Sequence, residues 1–524
     1  MSSSIDSPSI IDKTPVAEVE VQPQLTTVLS VNGEVIDLKP SDYDDALQYA
    51  AESENLVIDP VYEKKLVRKI DWYIMPMIAI LMSCQMMDKT TNSYAAIMGL
   101  RTDLHMSAEE YTWVGSSFYL GYLVFEYPAG VVLQKWPLSK VLTAAILIWG
   151  IVLMCHAACQ GAATFLLCRT LLGIFEGFMN PAYILLTSQW YKKDEQFMRT
   201  CFWYGSQGLG TLLGAGIAHG LYTMRTGDHT LASWRLFYII TGVITLVMGV
   251  ISLFHIPDVP VKAWFLNETD KKYCVERSRQ NQQGFGNHRL KTPQLIEAFK
   301  DPITYLVFIY ALTYAIPNGG LNNFGSILLN DDFNFSTGQS MLMNMPGGGI
   351  DVIIPPAVAI LNHKVLRDKR LISMILVNLL CVVGSCLLTF TSPKGSRLTG
   401  YYLLYTSTTC MAGMASIVSS NVAGHTKKVA VGTFFLIGYC VGNMIGPQTF
   451  RESQAPGYAG AKTAMLVSYC VGAIAMAVMY MIYRSRNNFR DKRRIEMGEK
   501  YVVPDNIAFA DLTDMQNPEL RYDL

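Results

Sequence analysis

The chain has 524 residues, of which 51% are hydrophobic and only 16% are charged, and its mean hydropathy is +0.24. Soluble domains carry roughly 25% charged residues, so this composition indicates a membrane protein. Basic and acidic residues number 42 each, and the resulting formal net charge of zero excludes a general attraction to nucleic acid. The 11 cysteines form neither C-x-x-C pairs nor the spaced sets of zinc sites, and we interpret them as packing thiols.

Residues 1–60 are rich in Ser, Asp, Glu and Pro, and they lack the basic and apolar regions of a cleaved signal peptide. We expect this segment to be a disordered cytosolic tail. Twelve apolar runs of about 20 residues, the length that crosses a bilayer, follow it. They lie near 72–92, 111–133, 140–159, 162–188, 200–222, 235–255, 303–327, 339–361, 370–391, 400–420, 430–450 and 463–483.

Two groups of six runs flank one long polar stretch. The sequence therefore predicts an all-α membrane protein with about 12 transmembrane helices in two six-helix halves. Its predicted parts after the tail are an N-terminal half at 61–256, a cytosolic central loop at 257–300, a C-terminal half at 301–484 and a cytosolic C-terminal tail at 485–524.

Lysine and arginine are concentrated before the first run, in every second loop and after the last run, and such segments face the cytosol. The basic residues in these segments are Lys64, Lys65, Arg68, Lys69, Lys135, Lys140, Lys192, Lys193, Arg199, Lys364, Arg367, Lys369, Arg370, Lys427, Lys428, Arg484, Arg486 and Arg490. We therefore expect both termini inside. The outer loop after the seventh run contains Asn334-Phe335-Ser336, a predicted glycosylation acceptor.

Ionisable residues lie inside two predicted spans. The first contains MMDKTTNSYA, with Asp88 and Lys89, and the fourth contains LLCRTLLGIFEGFMNPAYILL, with Arg169 and Glu176. Arg169 and Glu176 share a helix face but lie about 10 Å apart along the axis, so each needs a partner on another helix, and Asp88 and Lys89 are available. The four groups are either structural ion pairs or the lining of a water-accessible pathway, and intramembrane charges favour the pathway.

Three further polar residues lie among apolar neighbours. Glu126, just before Pro128 in the second span, is assigned to gating or to helix-end structure. Gln207 in the fifth span and Asn443 in the eleventh either join helices or contact a substrate. The sequence contains no metal-ligand helix, nucleophile–base pair or cofactor loop, so we expect no metal, no cofactor and no enzymatic activity.

Six stretches together resemble a known family: MDKTTNSYAAIMGL, CRTLLGIFEGFMNPAYILLTSQWY, SWRLFYIITG, IPDVPVKAWFLNETD, SSNVAGHTKK and FADLTDMQNPELRYDL. They are similar to the fungal allantoate permease group of the anion:cation symporter family, within the major facilitator superfamily. The resemblance runs from about residue 60 to the C-terminus. It implies two six-helix halves that rock around a central site and carry an organic carboxylate together with protons.

The resemblance also implies roles for individual residues. It makes Arg169 and Lys89 substrate-binding groups and Glu176 and Asp88 proton-coupling groups. Amides at the positions of Gln207 and Asn443 contact substrate in related carriers.

We therefore expect a proton-coupled symporter that imports a small carboxylate, such as a ureido acid or a vitamin carboxylate. The alternative is a transporter-like nutrient sensor without significant flux. The expected partners are the substrate, protons and the lipid bilayer, and we expect a monomer. The plasma membrane is the expected location, with the endoplasmic reticulum or the vacuolar membrane as alternatives.

Overall fold

A computed structural model of the chain describes residues 27–29, 35–37, 59–224, 231–280, 291–366, 369–497, 512–517 and 520–524. Near the N-terminus it describes two short strands, Thr27–Leu29 and Val35–Asp37, which pair antiparallel. Apart from Asp59 and Pro60, which begin the first helix, the remainder of the predicted N-terminal tail lies outside the described residues.

Each of the twelve predicted runs corresponds to a helix or to consecutive helix segments in the described part of the chain. In chain order these spans are Pro60–Ile97; Ala108–Lys135; Leu138–Cys155 with His156–Ala158; Ala162–Glu176 with Met179–Trp190; Lys193–Gly205 with Gln207–Met224; Ser233–His255; Pro302–Asp331; Thr337–Leu342 with Met345–Lys364; Arg370–Phe390; Lys394–Leu403 with Leu404–Thr406 and Ser407–Asn421; His425–Gln448; and Ala459–Met497. Shorter helices between them are Leu100–Asp103, Pro260–Lys262, Glu268–Gln280, Thr292–Lys300 and Glu452–Gln454.

Helix bounds differ from the apolar runs where a helix continues beyond its apolar part. The twelfth helix ends at Met497, past the predicted boundary at 484, and the first begins at Pro60. Among the described residues, 8 helices are long and apolar enough by themselves to cross a membrane. The fourth span is interrupted after Glu176, because Pro181 has no N–H to donate to the carbonyl of Gly177.

Glycines allow each of the two spans that carry the charged residues, the first and the fourth, to pack closely against a neighbouring span. A Cβ atom on Gly121 of the second span would lie 2.1 Å from the carbonyl oxygen of Thr170, and one on Gly173 of the fourth would lie 1.9 Å from that of Phe118. A Cβ on Gly210 of the fifth span would lie 2.0 Å from the carbonyl oxygen of Ser83 in the first. Small residues thus bring the second span into backbone contact with the fourth, and the fifth into backbone contact with the first.

The segments rich in lysine and arginine meet on one side of the bundle, which we call the basic side. Arg277 in the central loop contacts Glu63 in the first turn of the first span at 2.5 Å and Glu195 at the start of the fifth at 2.6 Å. Lys69 lies 2.8 Å from Asp270 of the same loop. The first span therefore ends on the side of the bundle opposite the basic side, and the second span begins there.

The last described residues of the chain pack against the basic side. Tyr522 is buried, and its ring stacks on that of Tyr483 in the twelfth span with 4.8 Å between centroids. Its hydroxyl donates to Asp514 at 2.8 Å, and its backbone N–H donates to Asn487 at 3.0 Å. The C-terminal segment thus packs against the twelfth helix.

A buried charge network joins this segment to the C-terminal half. Lys427 at the start of the eleventh span lies 2.8 Å from Asp514 and 2.9 Å from Asp301, which also accepts a hydrogen bond from Arg486 at 2.8 Å. Burial opposes ionisation of Asp301, but the bonds from Arg486 and Lys427 hold the pKa of its carboxyl below its usual range. The network therefore contributes stability above the unfolded-state pKa of about 3.9, and this contribution is lost as the pH falls further.

Replacing Tyr522 with alanine should destabilise the C-terminal half. The substitution removes a buried ring and its hydrogen bond to Asp514, and large-to-small changes of this kind cost about 3 kcal/mol. We expect Tyr522→Ala to lower the apparent Tm of the detergent-purified protein by several degrees. Met515→Ala, at an exposed position of the same segment, is the matched control. Equal melting of the two variants would contradict the packing described.

Candidate functional site

The four charged residues of the first and fourth spans form two ion pairs. Lys89 Nζ lies 2.9 Å from Glu176 Oε1, and Arg169 Nη1 lies 3.7 Å from Asp88 Oδ1. Asp88, Arg169 and Glu176 are at most 1% exposed. The prediction that Arg169 and Glu176 find partners on another helix is confirmed, and the partners are the two that the sequence offered.

The two pairs join the first span to the same neighbour, the fourth, at two different positions. Adjacent residues on a helix point about 100° apart, so Asp88 and Lys89 leave the first span in different directions, and their partners Arg169 and Glu176 lie seven residues apart on the fourth. Lys89 lies 5.8 Å from the centre of the Phe118 ring and keeps 13% of its side chain exposed. The Lys89–Glu176 pair is therefore the more accessible of the two.

Aromatic and amide side chains fix the Arg169–Asp88 pair. Trp149 of the third span donates its indole N–H to Asp88 Oδ2 at 2.7 Å. Arg169 donates to the hydroxyl of Tyr238 in the sixth span at 2.7 Å, and that hydroxyl donates to Asn92 Oδ1 at 2.6 Å. Each charge of this pair thus has a hydrogen-bonding partner besides its counter-ion.

Sequence reasoning missed these three neighbours. Asn92 could have been found, because it follows Asp88 by four residues and so shares its helix face. Trp149 and Tyr238 carry no such signal, since buried aromatic residues are common in every span and neither lies near the first span in sequence.

A small cavity borders the two pairs between the halves. Its volume is about 10 Å³, roughly what one water molecule needs. It is lined by Lys89, Asn92, Gly115, Phe118, Tyr119, Arg169, Asn322 and Asn323. Two of the predicted substrate-binding residues thus face the same space as amides of the seventh span, and any larger ligand requires the halves to separate.

Hydrogen bonds between the halves close the side opposite the basic side. The hydroxyl of Tyr111 donates to the carbonyl of Asn323 at 2.9 Å, and the N–H of Ser326 donates to the hydroxyl of Ser93 at the same distance. Gln448 accepts from Thr112 nearby, at 3.0 Å. These contacts separate the cavity from that face of the bundle.

The other predicted residues lie away from the described lining of this cavity. Asn443 is buried against the seventh span, and its amide donates to the carbonyl of Tyr439 in its own helix at 2.9 Å. Gln207 is half-buried, at the break between the two segments of the fifth span. Glu126 is half-buried beside Tyr122, with which it interacts electrostatically. Their predicted roles stay predictions.

Asn334 is exposed in the loop before the eighth span, on the side opposite the basic side. Its φ of 53° is in the left-handed region, which asparagine adopts more readily than most residues. The glycosylation predicted there stays a prediction. Among the described residues, no group of three or more His, Cys, Asp or Glu side chains is arranged to hold a metal ion.

Comparison with known proteins identifies the family. The family model for the Major Facilitator Superfamily matches residues 78–447. The chain is 40% identical over 517 residues to the allantoate permease of Saccharomyces cerevisiae, covering 97% of this chain and 95% of that protein. It is 42% identical to an uncharacterised transporter of Schizosaccharomyces pombe over 94% of this chain and 95% of that one.

More distant similarities agree with this. The thiamine pathway transporter of Saccharomyces cerevisiae is 31% identical, with 90% of this chain and 89% of that protein covered. The solved inward-facing structure of a bacterial homologue of the human lysosomal transporter Spinster has a TM-score of 0.56 at 14% identity, covering 77% of this chain and 95% of that one. That likeness supports the fold alone. The chain belongs to the major facilitator superfamily and, within it, to the fungal allantoate permease group of multi-pass membrane transporters, which are not enzymes.

Proposed function

We propose that the protein is a proton-coupled symporter that imports a small organic carboxylate by alternating access. The observation that carries this proposal is the pairing of Lys89 with Glu176 at 2.9 Å, beside a cavity between the two halves. A buried cation whose counter-ion can be protonated is suited to bind an anion and a proton together.

The coupling follows from the balance of charge. With Asp88 and Glu176 ionised, the two pairs sum to zero, as burial requires. If Glu176 takes a proton, Lys89 loses its negative partner and becomes an uncompensated buried cation. A substrate carboxylate then restores neutrality, so proton and substrate favour each other's binding.

Glu176 is the better proton carrier of the two carboxylates. Asp88 accepts the indole hydrogen bond of Trp149 and lies beside the guanidinium of Arg169. Hydrogen bonding to an ionised carboxylate favours that form. Asp88 is therefore proposed to stay charged and to orient Arg169, with a secondary part in coupling.

Entry of substrate requires the halves to separate on the side opposite the basic side. The bonds from Tyr111 to Asn323 and from Ser326 to Ser93 close that side and would have to break. Each is a single neutral hydrogen bond, worth about 1 kcal/mol net, so these two bonds add little to the cost of opening. Binding of proton and substrate would then favour closure around a neutral site.

The distribution of basic residues and the names of the relatives bear on orientation and substrate. We propose that the basic side, with both termini, faces the cytosol, and that the plasma membrane is the location. A ureido acid such as allantoate, which gives one relative its name, is the first substrate to test. Vitamin carboxylates are the second class.

Arg169→Lys should lose most transport. An ammonium group cannot reproduce the planar fork that contacts Asp88 and Tyr238 together, and loss of a charged hydrogen bond costs about 1.5–3 kcal/mol, or roughly 10- to 100-fold in affinity. Uptake of labelled allantoate by cells with matched surface expression measures this. Arg484→Lys, at an exposed position of the twelfth helix, should transport normally. Normal uptake by Arg169→Lys would remove Arg169 from the binding site.

Glu176→Gln should separate accumulation from exchange. The amide imitates the protonated carboxyl, so substrate binding and exchange of labelled for unlabelled substrate should persist, while proton-driven accumulation fails. Glu109→Gln, at an exposed position, is the matched control. If Glu176→Gln still accumulates substrate against a gradient with the wild-type dependence on pH, Glu176 is not the proton carrier.

A double substitution distinguishes a structural ion pair from a functional one. Lys89→Met and Glu176→Gln should each lower the apparent Tm, because breaking a buried pair costs about 3 kcal/mol or more. The combined variant should regain much of the lost stability without regaining transport. Transport by the combined variant at the wild-type rate would mean that the pair only holds helices together.

A further inference from the structure

A groove on the basic side, which the proposed mechanism does not use, is strongly cationic. It lies between the twelfth helix and the C-terminal segment and has a volume of about 660 Å³. Among the described residues that line it are five arginines, Arg486, Arg490, Arg493, Arg494 and Arg521, and no acidic residue. We call it the arginine groove, and its composition suits an anionic ligand.

Helix periodicity and docking of the C-terminal segment bring these arginines together. Arg486, Arg490 and Arg493 follow one another at intervals of four and three residues, so they share one face of the twelfth helix. Arg521 comes from the C-terminal segment, beside the buried Tyr522. The groove therefore depends on the tertiary fold as well as on the basic run in the sequence.

Arg490 is held in place by groups that do not neutralise its charge. It is half-buried, and it donates to the backbone carbonyls of Leu520 and Asp514 and to the hydroxyl of Tyr522. The Tyr522 ring also lies 4.6 Å from the guanidinium carbon. All of these groups are neutral, and no carboxylate in the described part of the chain lies at ion-pair distance from Arg490. Arg490 is therefore a fixed cation without a counter-ion.

Other lining arginines differ in how far their charge is compensated. Arg521 lies 3.0 Å from Asp491, and Arg486 belongs to the charge network around the eleventh span. Arg493 is exposed, and among the residues that the structure describes it forms no ion pair. Because Arg490 and Arg493 lie one helix turn apart, the uncompensated charge is concentrated at one place in the groove.

The arginine groove also has apolar walls near the membrane surface. Phe489 is 64% exposed and Met515 is 43% exposed, and both line it. At 1.5 Å per residue, Arg486 and Phe489 lie about 5 and 9 Å beyond the end of the apolar run at 483, near the level of lipid headgroups. A free phosphate ion gains nothing from apolar walls, whereas a phospholipid carries hydrocarbon next to its phosphate.

We propose that the arginine groove binds the headgroup of an anionic phospholipid. The guanidinium groups of Arg490 and Arg493 contact the phosphate, to which their planar geometry is matched, and Phe489 and Met515 contact the glycerol and the first part of the acyl chains. Because the groove includes part of the C-terminal segment, bound lipid also stabilises the docking of that segment. The site is separate from the central ion pairs, so the inference does not depend on the proposed symport.

The test measures binding to the detergent-purified full chain by the rise in its apparent Tm. The probes are dioctanoyl phosphatidic acid, dioctanoyl phosphatidylcholine and glycerol 3-phosphate. Phosphatidic acid should raise the Tm with a saturable dependence on concentration that weakens as salt is added. Glycerol 3-phosphate should bind about tenfold more weakly or less, since it lacks the acyl chains, and phosphatidylcholine should not compete.

Three variants locate the site. Arg493→Gln should weaken binding of dioctanoyl phosphatidic acid about fivefold, as expected for one basic residue near an anionic lipid. Phe489→Ser should reduce the preference for this lipid over glycerol 3-phosphate. Arg484→Gln, at an exposed position on the opposite face of the same helix, is the matched control and should bind as the wild type does.

Each part of the proposal has a result that would overturn it. Equal binding of phosphatidic acid and phosphatidylcholine by the wild type would overturn the anion site. Equal binding of phosphatidic acid and glycerol 3-phosphate would overturn the assignment to a lipid and leave a site for free phosphate compounds. Wild-type affinity in Arg493→Gln would overturn the location.

Discussion

The cost of a charge inside a bilayer governs the central part of this protein. A single unpaired ion at that depth is unfavourable by several kcal/mol, so the four charges of the first and fourth spans are tolerated only as two pairs. Lys89–Glu176 and Arg169–Asp88 satisfy this constraint in the closed arrangement. The same constraint gives the pairs their proposed use, because any change in protonation demands a compensating ion. Substrate and proton can then enter the site together more easily than either can alone.

Close helix crossings make this electrostatic arrangement possible and also allow it to move. Gly121 and Gly173 bring the second and fourth spans into backbone contact within one half, which fixes the helix that carries Arg169 and Glu176. Gly208 and Gly348 make a similar contact between the halves. Crossings within a half position the charges, whereas the crossing between halves would have to separate in the alternating access that we propose. Asp351 of the eighth span lies at that second kind of crossing.

Much of this architecture could be predicted from the sequence, because bilayer thickness fixes the length of an apolar run and burial forces charges to pair. The twelve spans and the partners of Arg169 and Glu176 followed from those two rules. The other contacts around the charged residues and at the C-terminus depend on tertiary packing. The indole of Trp149 reaches Asp88 from 61 residues away, and Tyr522 docks on the twelfth helix although its segment is polar. The buried Asp351 was missed because it stands among glycines and prolines that suggest only a flexible helix, and the groups around it come from other spans.

The central claim is that an anion and a proton enter the site as a neutral combination. Uptake of labelled allantoate by proteoliposomes containing only the wild-type protein tests it most directly, with the interior buffered at a higher pH than the exterior. The account predicts accumulation above the external concentration, which collapses when a protonophore removes the pH gradient. Uptake that only equilibrates, or accumulation that the protonophore leaves unchanged, would contradict the account.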